Sequence, residues 1–180
     1  MPPKSFIQAL DQKSLEYFNE VSARPFSDQA TFFLNAFWEE CGDQAEVIYC
    51  VHWEKFKEAD MRHRNIQYIH LYEEGNDLDF DMGLYVFEQM CKFFDQPENK
   101  SWKNDYPRAV PQMQTSIVRK KELRDKVDVN FDGRVGFLEF LLYQFNVSPK
   151  DLMDRSQRGP TNLSLEAAKK ALEDVNIKIR

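Results

Sequence analysis

Apolar residues recur at helical spacing along most of this chain. From Ser14 to Asp60 the stretch "SLEYFNEVSARPFSDQATFFLNAFWEECGDQAEVIYCVHWEKFKEAD" places Phe33, Phe37, Val47, Ile48, Tyr49 and Val51 on apolar faces, which predicts three helices. Pro25 separates the first from the second, Ser27 is a candidate N-cap for "DQATFFLNAFWEEC", Gly42 is placed to end that helix, and Asp43 to cap the third. The following "RNIQYIHLYEEGN" alternates Ile66, Tyr68 and His70 with Gln67, Ile69 and Leu71, and reads equally as strand or loop. Residues 95–114, "DQPENKSWKNDYPRAVPQMQ", carry Pro97, Pro107 and Pro111 with little periodicity. That predicts an irregular connection and the best domain boundary, with Trp102 and Tyr106 packed down rather than displayed.

A charged helix to about Val127 follows, then a loop, then a helix through "FLEFLLYQF". Ser148 and Pro149 start another helix, since proline suits the first helical turn. Ser164 caps a last one, in which Leu165, Ala168, Leu172, Val175 and Ile179 share one face. The fold expected is therefore mostly α. It divides into an N-terminal helical region (1–65), a degenerate helix-loop-helix hand (66–95), the proline-containing connection (96–114), a regular hand (115–147) and C-terminal helices (148–180), all able to form one compact domain.

The loop is the chemically specific feature. In "DVNFDGRVGFLEF", counting Asp128 as position one puts Asn130 at three, Asp132 at five, Gly133 at six, Arg134 at seven, Gly136 at nine and Glu139 at twelve. Every slot of an EF-hand calcium loop is filled. Calcium is a hard cation that takes six to eight oxygens, so three short side chains, the Arg134 carbonyl and a bidentate Glu139 suffice, with Gly136 leaving its slot to water. Gly133 supplies a turn that a Cβ resists. Arg124 stands four places before the loop, where an apolar residue normally sits, so the apolar face of the incoming helix must be rotated or thin.

Such loops usually work in pairs. A second candidate, "DLDFDMGLYVFE", puts Asp77, Asp79, Asp81 and Glu88 at positions one, three, five and twelve, but with Met82 in the glycine slot. The same stretch reads as a helix with Phe80, Leu84, Phe87, Cys91 and Phe94 facing the core. A hand that binds calcium poorly but packs against its neighbour accommodates both readings.

Composition narrows the function classes. The 180 residues include 15 Phe, 7 Tyr and 3 Trp, and 42% of the chain is hydrophobic, enough for a sizeable core. A formal charge of −6 gives no case for nucleic acid. No apolar run approaches the ~20 residues that span a bilayer. Three cysteines form no paired framework and no signal segment precedes them, which suits a reducing, cytoplasmic setting. His52, His63, His70, Cys41 and Cys50 lack zinc spacing, and no phosphate loop or nucleophile motif occurs, so no enzyme is expected. The basic run "RKKELRDK" reads as a solvated helix face or a docking face for an acidic partner.

The segments "PFSDQATFFLNAFWEE", "EGNDLDFDMGLYVFEQMCKFF" and "KELRDKVDVNFDGRVGFLEFLLYQF" resemble the calcium-regulated actin-bundling proteins of amoeboid cells, with a weaker echo in "ALEDVNIKIR". The resemblance implies a protein of the actin cytoskeleton that crosslinks F-actin, with crosslinking inhibited by calcium and the second of two hands regular. Carried to matching positions, it implies ligands at Asp128, Asn130, Asp132, Arg134 and Glu139. Members of that family continue beyond an equivalent of Arg180, so filament binding is expected ahead of crosslinking. Read from the loop alone, a calcium sensor with an apolar groove for a helical peptide and a calcium buffer stay open. Oligomeric state and actin-contact residues are not encoded legibly.

Overall fold

A computed structural model describes residues 11–68 and 71–156, so His70 and the helix expected after Ser164 lie outside the described residues. The chain folds as helices α1 (Gln12–Ser22), α2 (Phe26–Ala36), α3 (Trp38–Cys41), α4 (Ala45–Val47), α5 (Trp53–His63), α6 (Phe80–Asp95), α7 (Lys100–Asp105), α8 (Ser116–Glu122), α9 (Phe137–Gln144) and α10 (Pro149–Ser156). Two short strands, β1 (Asp77–Asp79) and β2 (Arg134–Gly136), complete it. Helix α5, a loop, β1 and α6 form one helix-loop-helix unit; α8, a loop, β2 and α9 form the other. The strands pair antiparallel, Asp77 with Gly136, Leu78 with Val135 and Asp79 with Arg134, and so hold the two loops back to back.

Burial of aromatic faces joins the units. Phe56 of α5 lies 4.7 Å from Phe137 and 5.3 Å from Phe140 of α9, ring centre to centre, while Phe87 of α6 lies 5.4 Å from Phe140. Helix α2 packs across α9 through Phe26, 6.0 Å from Phe137, and α10 packs on α2 in turn. Ser148 caps α10 as its sequence suggests, accepting from Lys150 N and Asp151 N. The proline-containing connection is less irregular than its composition implies. It holds α7 and two single 3₁₀ turns, and Trp102 and Tyr106 pack against the common core.

Local expectations fail where distant partners intervene. Ser27 does not cap α2, which starts after Pro25; instead the Ser27 N–H donates to Glu74 Oε1, a cap supplied from 47 residues away. The predicted helix breaks at Phe37, leaving α3 as a separate turn that ends at Gly42, and Asp43 makes no capping bond.

A π-helical turn at Ile48–His52 aims His52 fully into the core, where Nε2 donates to Ala109 O at 2.8 Å. The ring rests 5.0 Å from Phe140, and burial lowers its pKa to about 4 from 6.5. The native state thus holds this histidine neutral while the unfolded chain protonates it near 6.5. Its contribution to stability is intact above pH 6.5 and is lost as pH falls toward 4, at about 1.4 kcal/mol per pH unit in that window. In urea denaturation at pH 6.5 and pH 5, wild type should lose about 2 kcal/mol more than His52→Gln. Equal losses would place the titration elsewhere.

Candidate metal centre

Between α8 and β2 the chain must reverse direction, and it does so with Phe131 and Gly133 in the left-handed region, at φ 54° and 74°. A Cβ on Gly133 would meet nothing within 4 Å, so glycine serves conformation here, not space. The turn is tied internally. Asp128 Oδ1 accepts from Asp132 N (3.2 Å) and Oδ2 from Gly133 N (2.9 Å), and Asp132 Oδ1 accepts from Arg134 N (2.9 Å). Glu139, in the first turn of α9, reaches back so that Oε1 accepts from Gly136 N (2.9 Å) and Oε2 from Val129 N (2.6 Å).

These bonds bring Asp128, Asp132 and Glu139 together, each offering a carboxylate oxygen, all within 4.8 Å of one another. Asp128 and Glu139 are buried, 4% and 1% exposed. Burial pushes the Asp128 carboxyl up to about 7, against the Gly133 N–H and with the help of Asp132. Burial also holds Glu139 well above the usual carboxylate range, and the charges of Asp128 and Asp132 add to it. The Asn130 side-chain amide lies 3.1 Å from Asp132 Oδ1 and 3.2 Å from Asp128 Oδ1, near enough to donate to both carboxylates or to turn its oxygen toward a shared ion. Like charges converging in a partly buried turn are what a hard cation relieves, so the donor set fits one. Arg134, assigned its carbonyl by spacing, also uses its side chain: Nη2 donates to Asp77 Oδ1 at 2.8 Å and Nε at 3.1 Å.

The incoming helix solves the Arg124 problem by widening. Residues Leu123–Val127 form a π turn in which Asp128 N donates to Leu123 O at 2.8 Å. The added residue moves Leu123, five places before the loop, onto the buried face beside Val127, and leaves the Arg124 side chain 65% exposed.

The other four candidate carboxylates are not gathered. Asp77 is committed to Arg134. Asp79 caps α6 by accepting from Met82 N (2.8 Å), Asp81 is exposed in the first turn of that helix, and Glu88 pairs with Lys92 on its surface. Strand register gives the reason. Val135 is eighth in a loop starting at Asp128, and its partner is Leu78, so the matching frame of the first unit starts at Leu71 and ends at Met82, six residues before the acidic spacing. Apolar side chains then stand at both its first and twelfth positions.

That first loop closes on the protein's own groups. Asp60, 6% exposed, accepts from Arg64 Nη2 (2.9 Å), the Tyr72 hydroxyl (2.8 Å) and Gly75 N (3.2 Å). A Cβ on Gly75 would meet Asp60 Oδ2 at 2.7 Å, so a side chain there would push the Asp60 carboxylate from its place.

Sequence reasoning also missed Gln29. Fully buried in α2, its Nε2 donates to Arg24 O (2.7 Å), Asn76 O (2.8 Å) and Ser22 O (3.2 Å). Its Oε1 accepts from Leu138 N (2.7 Å), supplying the cap that Gly136, without a side chain, denies α9. One amide thus ties α1, α2, the first loop and the exit helix together. Its only sequence signal is a polar residue on an apolar helical face.

No family model matches the chain. It is 50% identical over 179 residues, 98% of its length, to a calcium-regulated actin-bundling protein of Dictyostelium discoideum, and spans 61% of that relative. Its fold matches the crystal structure of a 34 kDa F-actin bundling protein from the same organism with a TM-score of 0.83 at 50% identity, covering 95% of this chain and 68% of that one. With half its residues shared along nearly its full length and the same fold, the chain belongs to the family of calcium-regulated actin-bundling proteins.

Proposed function

We propose that this chain binds filamentous actin, that the loop at residues 128–139 binds one calcium ion, and that calcium inhibits filament crosslinking. The observation that carries this reading is the 50% identity over 98% of the chain to a calcium-regulated actin-bundling protein. The role is non-catalytic and belongs to the actin cytoskeleton. No helix among the described residues is long and apolar enough to cross a membrane.

The residues suggest how the ion acts. Calcium supplies the positive charge that Asp128, Asp132 and Glu139 lack. Glu139 sits in the first turn of α9, whose Phe137 and Phe140 pack against both units, so a pull on its carboxylate is felt across the shared core. The β1–β2 pairing and the Arg134–Asp77 ion pair carry the same displacement to the first unit. Linkage makes the effect reciprocal: if calcium weakens actin binding, actin weakens calcium binding by the same factor.

F-actin cosedimentation at high and low speed, in calcium and in chelator, tests the reading. Low-speed pelleting lost on adding calcium is the expected result. High-speed pelleting alone would leave binding without crosslinking, and no pelleting under any condition would sink the proposal. A separate expectation concerns stoichiometry. Because Asp81 and Glu88 do not face a common centre, Asp81→Asn combined with Glu88→Gln should leave calorimetric binding at one calcium per chain with affinity changed less than about twofold. A lost site would show that the first loop binds after all.

A further inference from the structure

Helix α1 forms one wall of the calcium loop. A cavity of about 250 Å³ opens beside the loop, lined by Asn130, Asp132 and Glu139 on one side and by Asn19 and Ser22 of α1 on the other. Ser22 is 9% exposed and its Oγ is buried without a hydrogen-bond partner. Across the same space Asn19 Oδ1 accepts from Asn130 Nδ2 at 2.9 Å, a contact between residues 111 positions apart.

That contact has a polarity. While Asn19 accepts, Asn130 must turn its amide oxygen toward Asp128 and Asp132, the orientation of a third-position ligand. With both amides reversed, Asn19 donates instead, and Asn130 Nδ2 lies 3.1 and 3.2 Å from Asp132 Oδ1 and Asp128 Oδ1, where it donates to both. The first orientation turns the Asn130 oxygen toward the carboxylates and suits a cation among them, whereas the second lets the Asn130 amide donate to both carboxylates without one. The ion therefore selects between two hydrogen-bonded states of one amide pair.

Resting on the reading of residues 128–139 as a calcium loop, we infer that Asn19 is a positioning residue for the ion, orienting Asn130 as a ligand and tying calcium occupancy to the N-terminal helix. Nothing in the loop's own spacing requires α1. A net hydrogen bond of ordinary strength converts to a roughly three- to tenfold change in affinity.

Calcium titration calorimetry on wild type, Asn19→Ala, Asn130→Ala and the double variant of this chain tests the inference. Asn19 is exposed on a helix, where alanine is the better helix former, so loss of folding does not confound the result. Asn19→Ala should weaken binding roughly three- to tenfold in the wild-type background and leave it unchanged in the Asn130→Ala background, where no amide is left to orient. In hydrogen exchange, calcium should slow the amides of α1 in wild type and do so less in Asn19→Ala. Equal affinity of wild type and Asn19→Ala would overturn the inference while leaving the calcium loop standing. An equal loss in both backgrounds would also overturn it, by assigning Asn19 a merely structural role. No calcium binding by wild type would overturn the loop reading itself, and the inference with it.

Discussion

Replacing Glu139 by glutamine should lower calcium affinity at least about a hundredfold while changing the stability of the metal-free protein by only about 1–2 kcal/mol. The two halves of this expectation have one cause. Glu139 is 1% exposed and sits beside Asp128 and Asp132, so without a cation burial favours its protonated form. A primary amide is similar in size to a carboxylic acid but keeps one acceptor oxygen, whereas Oε1 and Oε2 of Glu139 accept separately from Gly136 N and Val129 N, so one of these bonds is lost. Relief of a carboxyl pressed by burial and by Asp128 and Asp132 offsets part of that loss, so the metal-free molecule should register the change modestly. A bound cation registers it fully, because glutamine brings neither a negative charge nor two equivalent oxygens. Calorimetric titration together with urea denaturation in chelator checks both halves. Unchanged affinity would remove Glu139 from the site, and a collapse of metal-free stability would make its role mainly one of capping α9.

The other large effect belongs to the core. Phe140→Ala should destabilise the protein by about 3–5 kcal/mol, the usual cost of deleting a fully enclosed aromatic ring. Its ring lies within contact of His52, Phe56 and Phe87, at centroid distances of 5.0, 5.3 and 5.4 Å, so it joins the π turn before α5, α5 itself and α6 to the exit helix of the second unit. These neighbours are themselves large and come from three segments, which hinders collapse of the space left behind. Against a typical total of about 5–15 kcal/mol, the loss is a large fraction of stability. Urea denaturation in chelator measures it without a contribution from bound calcium. A loss below about 1 kcal/mol would show that the two units do not share this core.

Phe140 and Glu139 are neighbours in sequence, and the contrast between their expected effects separates site from scaffold. One change is expected to weaken calcium binding strongly and largely to spare the fold. The other weakens the fold through a residue that faces away from the ion. In α9 alternate duties are possible because successive residues point to different sides of a helix whose first turn is the loop's last ligand.

How much of this was legible beforehand differs between the two loops. For residues 128–139 spacing already picks out Asp128, Asp132 and Glu139, which the fold gathers, because all three lie within one twelve-residue loop. For residues 77–88 the same spacing gathers no carboxylate cluster. Carboxylates at the right intervals occur there for unrelated reasons: Asp77 holds Arg134, Asp79 caps α6, and Glu88 pairs with Lys92 on the surface. Only the pairing of Leu78 with Val135 reveals the frame, and strand register is a relation between segments 57 residues apart. The Arg124 anomaly was visible as a conflict, but its resolution by a π turn required the geometry of the packed helix.

The sequence by itself determined the mostly helical class, the positions of the major helices and the acidic side chains that gather at residues 128–139, because periodicity and a contiguous motif are local properties of a chain. Tertiary structure alone decided that Glu74 caps α2, that Gln29 binds the backbone of Asn76 and Leu138, that the first loop is framed by Leu71 and Met82, and that Asn19 of α1 meets Asn130. Each of these is a contact between residues far apart in sequence. In an open chain their polar groups meet water or near neighbours, and only one particular packing brings these distant partners within reach.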